Sequence, residues 1–196
     1  AQSVSSPEPY DGPVIAVPVY AGVSELELGI ILAVGRLCAG PDAVPGAVLT
    51  VNRSRASIGT AGGLVTTPHV LYAALPSPAA VFLPGGPGAA RAARDPLLQT
   101  FLRKHASLPT SASGNGLLLA GEAGLLADRV VGGPADLADT LWNFSPQDVR
   151  PGQVVTDGAL CSAPGGFPAL HAALHLAGAV WGEHAAAEAA RRLGRP

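Results

Sequence analysis

The order of apolar and polar positions along the chain predicts an alternation of short buried strands and amphipathic helices. Residues 14–20 are apolar and β-branched and follow Pro13, the pattern of a strand buried on both faces. Ser24 then stands as an N-cap with Glu27 three residues on, a capping-box spacing, and Leu26, Ile30, Val34 and Leu37 recur at helical intervals. A helix is predicted over 25–37. Further strands are predicted at 47–52 and 79–83, the latter ended by Pro84-Gly85-Gly86-Pro87-Gly88. Segments 56–58 and 64–66 flank a glycine-rich turn and read as a small hairpin. A helix is predicted over 96–105 with proline in its first turn, then a short strand at 108–111 and a helix over 116–123 closed by Gly124. Short strands follow at 130–131, 154–156 and 160–163, and an alanine-rich helical end at 167–193 is interrupted near Gly182. Apolar strands alternating with helices imply an α/β fold: a flavodoxin-like three-layer sandwich, with a mostly parallel central sheet and helices on both faces. Residues 1–13, rich in Ser and Pro, read as a flexible N-terminal tail, and 14–196 as one domain.

Composition narrows the function classes. Of the 196 residues, 48% are apolar and 13% charged, which excludes a disordered chain. No unbroken apolar run reaches about 18 residues, so no membrane span or membrane partner is expected. A net charge of −2 without a basic stripe argues against a nucleic-acid partner. The sequence has no Met, so Ala1 is expected not to be a translation start. The expected location is the cytoplasm; an exported form is left open because Ala1 is not a translation start, although no apolar signal core is present to support it. Cys38 and Cys161 read as small buried hydrophobes. His171 and His175 stand four apart on one predicted helix, a spacing that can bind metal, but no carboxylate or cysteine motif joins them. No metal and no cofactor is expected.

Ligands of open α/β sheets bind beyond the carboxyl ends of the strands. The loops after Tyr20 and Leu83 and the turn before Gly116 would meet there. Ser111-Ala112-Ser113-Gly114-Asn115-Gly116 lies between a short strand and an apolar helix, the placement of a nucleophile elbow. A helix start lowers a thiol pKa and supplies oxyanion amides. The apex, however, is Gly114, which has no side chain. Ser111 and Ser113 are adjacent, but a serine nucleophile needs a base. Glu27 reads either as a capping carboxylate or as an acid facing the elbow.

These motifs carry a resemblance. Tyr20-Ala21-Gly22-Val23-Ser24-Glu25-Leu26-Glu27-Leu28, Phe82-Leu83-Pro84-Gly85-Gly86-Pro87-Gly88, the helix from Gly116 to Leu126, Val155-Thr156-Asp157-Gly158 and the helix from Ala169 to Trp181 together resemble ThiJ/PfpI proteins of the class I glutamine amidotransferase-like superfamily. Among these the isocyanide-hydratase-like branch is the most similar. The resemblance implies that Glu27 matches the acid that bonds the reactive thiol, and that Gly85 and Gly86 supply backbone amides. It puts Gly114 at the cysteine position, Asn115 at the following oxyanion amide, and Gly133 at the position of a site histidine. Nucleophile and histidine are then both glycine. The implied function is that of a family member without the catalytic cysteine, not an active cysteine hydrolase or amidase, that binds a small molecule or regulates a partner. The alternative is a cysteine-independent hydratase or hydrolase using Glu27 as general base. A regulator would need a separate partner, since no helix-turn-helix follows. A homodimer is implied by the resemblance alone.

Overall fold

The computed structural model describes residues 9–195; residues 1–8 of the expected N-terminal tail lie outside the described residues. In chain order the strands and α-helices are β1 (Ile15–Pro18), α1 (Glu25–Ala39), β2 (Val48–Asn52), β3 (Ile58–Gly59), β4 (Val65–Thr66), β5 (Val70–Leu71), β6 (Ala80–Leu83), α2 (Ala89–Ala92), α3 (Pro96–Lys104), β7 (Thr110–Ser113) and α4 (Gly116–Glu122). They continue with β8 (Val130–Gly133), α5 (Ala138–Leu141), β9 (Asp148–Pro151), β10 (Val155–Asp157), β11 (Leu160–Ala163), α6 (Ala169–Trp181) and α7 (Glu183–Arg192).

Seven strands form the central sheet in the order β10-β11-β7-β6-β1-β2-β5. All neighbours are parallel except β10 against β11. Strands β1, β6, β7 and β11 are buried at every position; β1 and β6 accordingly read as continuous apolar runs rather than as alternations, while β7 is buried although its sequence is Thr-Ser-Ala-Ser. Successive side chains of a strand point to opposite faces, so the sheet splits its residues between two cores. Ile15, Val17 and Phe82 face one way and pack with Leu28, Ile31 and Val34 of α1, Ala172 and Leu176 of α6, and Ala186 and Ala189 of α7. Ala16, Val81 and Leu83 face the other way, against Leu98, Phe101 and Leu102 of α3 and Leu117, Leu119 and Ala120 of α4. The alanines of α6 and α7 let those helices lie close to α1 and the sheet. The expected three-layer sandwich with a mostly parallel sheet is therefore the observed architecture.

The predicted elements shift by only a residue or two. The segment at 108–111 starts later, as β7, because Pro109 has no N–H to donate to a ladder. The hairpin is the antiparallel pair β3–β4. Four elements were not predicted: β5, α2, α5 and β9. Strand β9 pairs in parallel with β8 outside the main sheet.

Ser24 caps α1 as its position predicts, accepting from the Glu27 N–H at 3.2 Å. The reciprocal half of the capping box does not form. The Ser24 N–H donates to the Gly85 carbonyl at 2.8 Å, which leaves the Glu27 carboxylate to turn elsewhere.

Candidate functional site

Glu27, Gly85, Gly114 and Asn115 converge at the carboxyl end of the sheet. Glu27 is only 5% exposed, and its Oε1 accepts from the Gly85 N–H at 3.4 Å. Burial pushes its pKa up, while the nearby Ser113 hydroxyl and the Gly85 and Gly166 amides pull it back down. The Ser113 hydroxyl favours the charged carboxylate through proximity only; it forms no well-shaped hydrogen bond and is a buried, unpartnered group. Tyr20, behind the same loop, donates its hydroxyl to the Pro84 carbonyl at 2.7 Å and anchors the glycine segment after β6. Burial, and then the charge of Glu27, raise the Tyr20 pKa, so it stays a donor. The Glu27 carboxylate thus faces the turn after β7 rather than capping its own helix.

That turn has elbow geometry. Gly114 sits at φ +55, in the left-handed region, between β7 and the start of α4. A sharp reversal there lets α4 begin at once, and glycine takes the conformation at no steric cost. A Cβ added at Gly114 would stand 3.7 Å from Glu27 Oε2, so the acid and the apex are neighbours. Gly85 is required by close approach: a Cβ there would lie 2.9 Å from Glu27 Oε2 and 3.1 Å from the Asn115 amide nitrogen. The half-buried Asn115 directs its N–H to no acceptor among the described residues. Gly86 lies slightly apart, packed on the loop after β1, where a Cβ would meet the Gly22 carbonyl oxygen at 2.3 Å. Gly133, at the end of β8, borders the side chains of α4 and α5. A side chain there would run into Leu117 Cδ1 at 2.9 Å and Leu141 Cδ1 at 3.0 Å, in the apolar core under α4.

Sequence reasoning missed the segment after β11. Pro164-Gly165-Gly166 crosses directly over the elbow. A Cβ on Gly165 would lie 2.9 Å from Gly114 Cα, and one on Gly114 would lie 3.2 Å from Gly165 Cα. Two glycine backbones are therefore in contact where a longer apex side chain would project. The only signal available was a second glycine pair following a strand, a feature shared with ordinary turns.

The other candidate groups sit elsewhere. Ser111 is fully buried and donates to the Ala172 carbonyl at 2.8 Å. Cys161 lies on β11 in the core under α6, and Cys38 is half-buried on α1, its thiol directed to the Ala185 carbonyl. Burial raises both thiol pKa values. His171 and His175 are exposed on α6. No cluster of three His, Cys, Asp or Glu side chains suited to a metal occurs among the described residues. No described helix is long and apolar enough to cross a membrane.

No protein-family model and no curated protein matches the chain. Solved structures do. A ThiJ/PfpI family protein from Pseudomonas syringae superposes with a TM-score of 0.80 at 21% identity, over 98% of this chain and 79% of its own. Drosophila melanogaster DJ-1beta gives 0.83 at 21% identity, over 93% and 97%. A cysteine-to-alanine variant of a DJ-1 superfamily protein from Salmonella typhimurium gives 0.76 at 25% identity, over 94% and 99%. The chain has the fold of these ThiJ/PfpI and DJ-1 proteins.

Proposed function

We propose, from the premise of a ThiJ/PfpI and DJ-1 fold, that this protein is a homologue without cysteine chemistry that acts by non-covalent binding of a small molecule or by regulating a partner. One observation carries the reading. The apex of the elbow is Gly114, held at φ +55 beside Glu27 and without a side chain to attack anything.

The surroundings support it by supplying no substitute. Ser111 is committed to the Ala172 carbonyl and Ser113 is fully buried. Both cysteines are packed away from the turn with thiols made less acidic by burial. Gly133, where the resemblance expects a histidine, borders Leu117 and Leu141. What persists is one backbone donor suited to an oxygen atom, the Asn115 N–H at the N-cap of α4, beside a buried carboxyl. Such a donor holds a ligand oxygen without forming a covalent bond to it. A homodimer, taken from the resemblance, is checked by sedimentation.

A second reading rests on Glu27 itself. A carboxyl whose pKa is raised by burial is a better general base near neutrality than an exposed one. It could activate water against an unsaturated carbon, as in the hydration of an isocyanide to a formamide.

An aryl isocyanide offered to the purified protein separates the two. The expected result is no formamide above the buffer rate, before or after iodoacetamide. Formamide production by the parent, lost in Glu27→Gln with its melting curve intact, would overturn the binding reading in favour of the second.

A further inference from the structure

We propose that the groove beside α2 and α3, at the carboxyl ends of β1 and β2, binds a small amphipathic anion: an acidic head group with an apolar tail. Two adjoining cavities form it. The first encloses about 560 Å³ and is lined by Arg53, Arg91, Arg94 and Asp95, with Tyr72 at its border. The second encloses about 380 Å³ and shares Arg53 and Tyr72 with the first. Its other walls combine the apolar Leu71, Leu97 and Phe101 with Thr100, His105 and a further cation, Lys104. Each is the size of a small-molecule site.

The charge in the first cavity is unbalanced. Three arginines gather there in a chain whose net charge is −2. The one acid, Asp95, is already engaged, since its Oδ1 accepts from the Leu97 N–H at 3.0 Å and lies 3.5 Å from Arg53 Nη1. Arg91 and Arg94 make no ion pair among the described residues. They stand three apart across one turn at α2, where like charges repel. An anion placed between them would relieve that repulsion and accept charge-assisted hydrogen bonds.

The second cavity adds the tail. Leu97 is 50% exposed and Leu71 36% exposed, both beside the Tyr72–Phe101 ring pair, whose centroids are 4.8 Å apart. The sheet topology points to the same place. The chain runs outward from β1 to β2 and β5, then returns to β6 on the other side of β1. Connections therefore diverge between β1 and β6, and the first cavity touches the segments after both, at Tyr20 and Gly88. None of this depends on the chemistry of the elbow, and neither cavity includes Glu27, Gly114 or Asn115.

Calorimetric titration with straight-chain carboxylates from butanoate to octanoate tests the proposal, with octanol, octylamine and octyl phosphate as head-group comparisons. The expected result is saturable binding of octanoate or octyl phosphate, whichever head group fits better, and none of octanol or octylamine. Affinity should rise roughly two- to fourfold per methylene as the tail covers Leu71 and Leu97. The exposed double variant Arg91→Ala, Arg94→Ala should lose about tenfold or more with an unchanged melting curve. Leu97→Gln should flatten the chain-length dependence while keeping the head-group preference. Octanol binding as well as octanoate, or an arginine double variant that binds as the parent does, would overturn the proposal. So would loss of octanoate binding in Glu27→Gln, which would put the ligand at the elbow.

Discussion

Replacing Gly165 with alanine measures how tightly the loop after β11 is packed on the elbow. Gly165 lies at φ +96, and a Cβ there would stand 2.9 Å from Gly114 Cα, a backbone atom that cannot swing aside. Gly182, between α6 and α7, has nearly the same φ of +94, but a Cβ there meets nothing within 4 Å. The pair separates two penalties. A non-glycine residue at such a φ costs about 1–3 kcal/mol, and both variants bear that cost. Crowding against fixed backbone adds about 1–3 kcal/mol for Gly165→Ala alone. In a chain of this length each kcal/mol lowers Tm by about 2–4 °C, so Gly165→Ala should melt about 2–12 °C below Gly182→Ala. Thermal unfolding followed by circular dichroism gives the comparison directly. Gly114→Ala, with its Cβ at 3.2 Å from Gly165 Cα, strains the same contact from the other side. Once the loop has moved for one substitution, the second meets less resistance, so the double variant should fall short of additivity by about 0.5–3 kcal/mol. Equal melting of Gly165→Ala and Gly182→Ala, with additivity at 114 and 165, would refute the idea that these two glycine backbones are packed against each other.

Two further outcomes are expected. Burial raises the Glu27 pKa above its ordinary 4.5, so the folded protein holds that proton more tightly than the unfolded chain, and stability falls as pH rises through 4.5 towards the folded-state value. Glu27→Gln abolishes this dependence, and its Tm should gain on the parent over that window and level off above it; parallel curves from pH 4 to 8 would contradict the assignment. The two buried serines should respond differently to alanine: Ser111→Ala removes a bond to the Ala172 carbonyl and should cost about 0.5–1.5 kcal/mol in urea denaturation. Ser113→Ala deletes an unpartnered buried hydroxyl and should be neutral or stabilising, so equal losses would show that Ser113 has a partner after all.

The contrast between those serines shows where the sequence stops being informative. The strands and principal helices were legible where burial on both faces left an apolar run, as in β1 and β6; the equally buried β7 is Thr-Ser-Ala-Ser, and its place was read two residues too early. Strand β9 and helix α5 carried no such mark, since both lie outside the main sheet and are half exposed. The Ser24 cap was equally legible, as a local contact three residues long. The fate of Glu27 was not, because the choice between capping its own helix and facing the elbow was made by the Gly85 carbonyl, 61 residues beyond Ser24, taking the Ser24 N–H. The same holds for the contact between the elbow and the loop after β11. Gly114 and Gly165 are 51 positions apart, on segments brought together by the parallel pairing of β7 with β11, which sets Ser113 against Ala163. Glycine announces only that a side chain would be unwelcome; which atom makes it so is a property of the register. In a cluster made of glycines and backbone amides, that leaves the residue types visible and their arrangement hidden. The arginines beside α2 are the opposite case: their charge is plain in the sequence, and only the topology, by closing β2 and α3 around them, turns three scattered surface residues into one pocket.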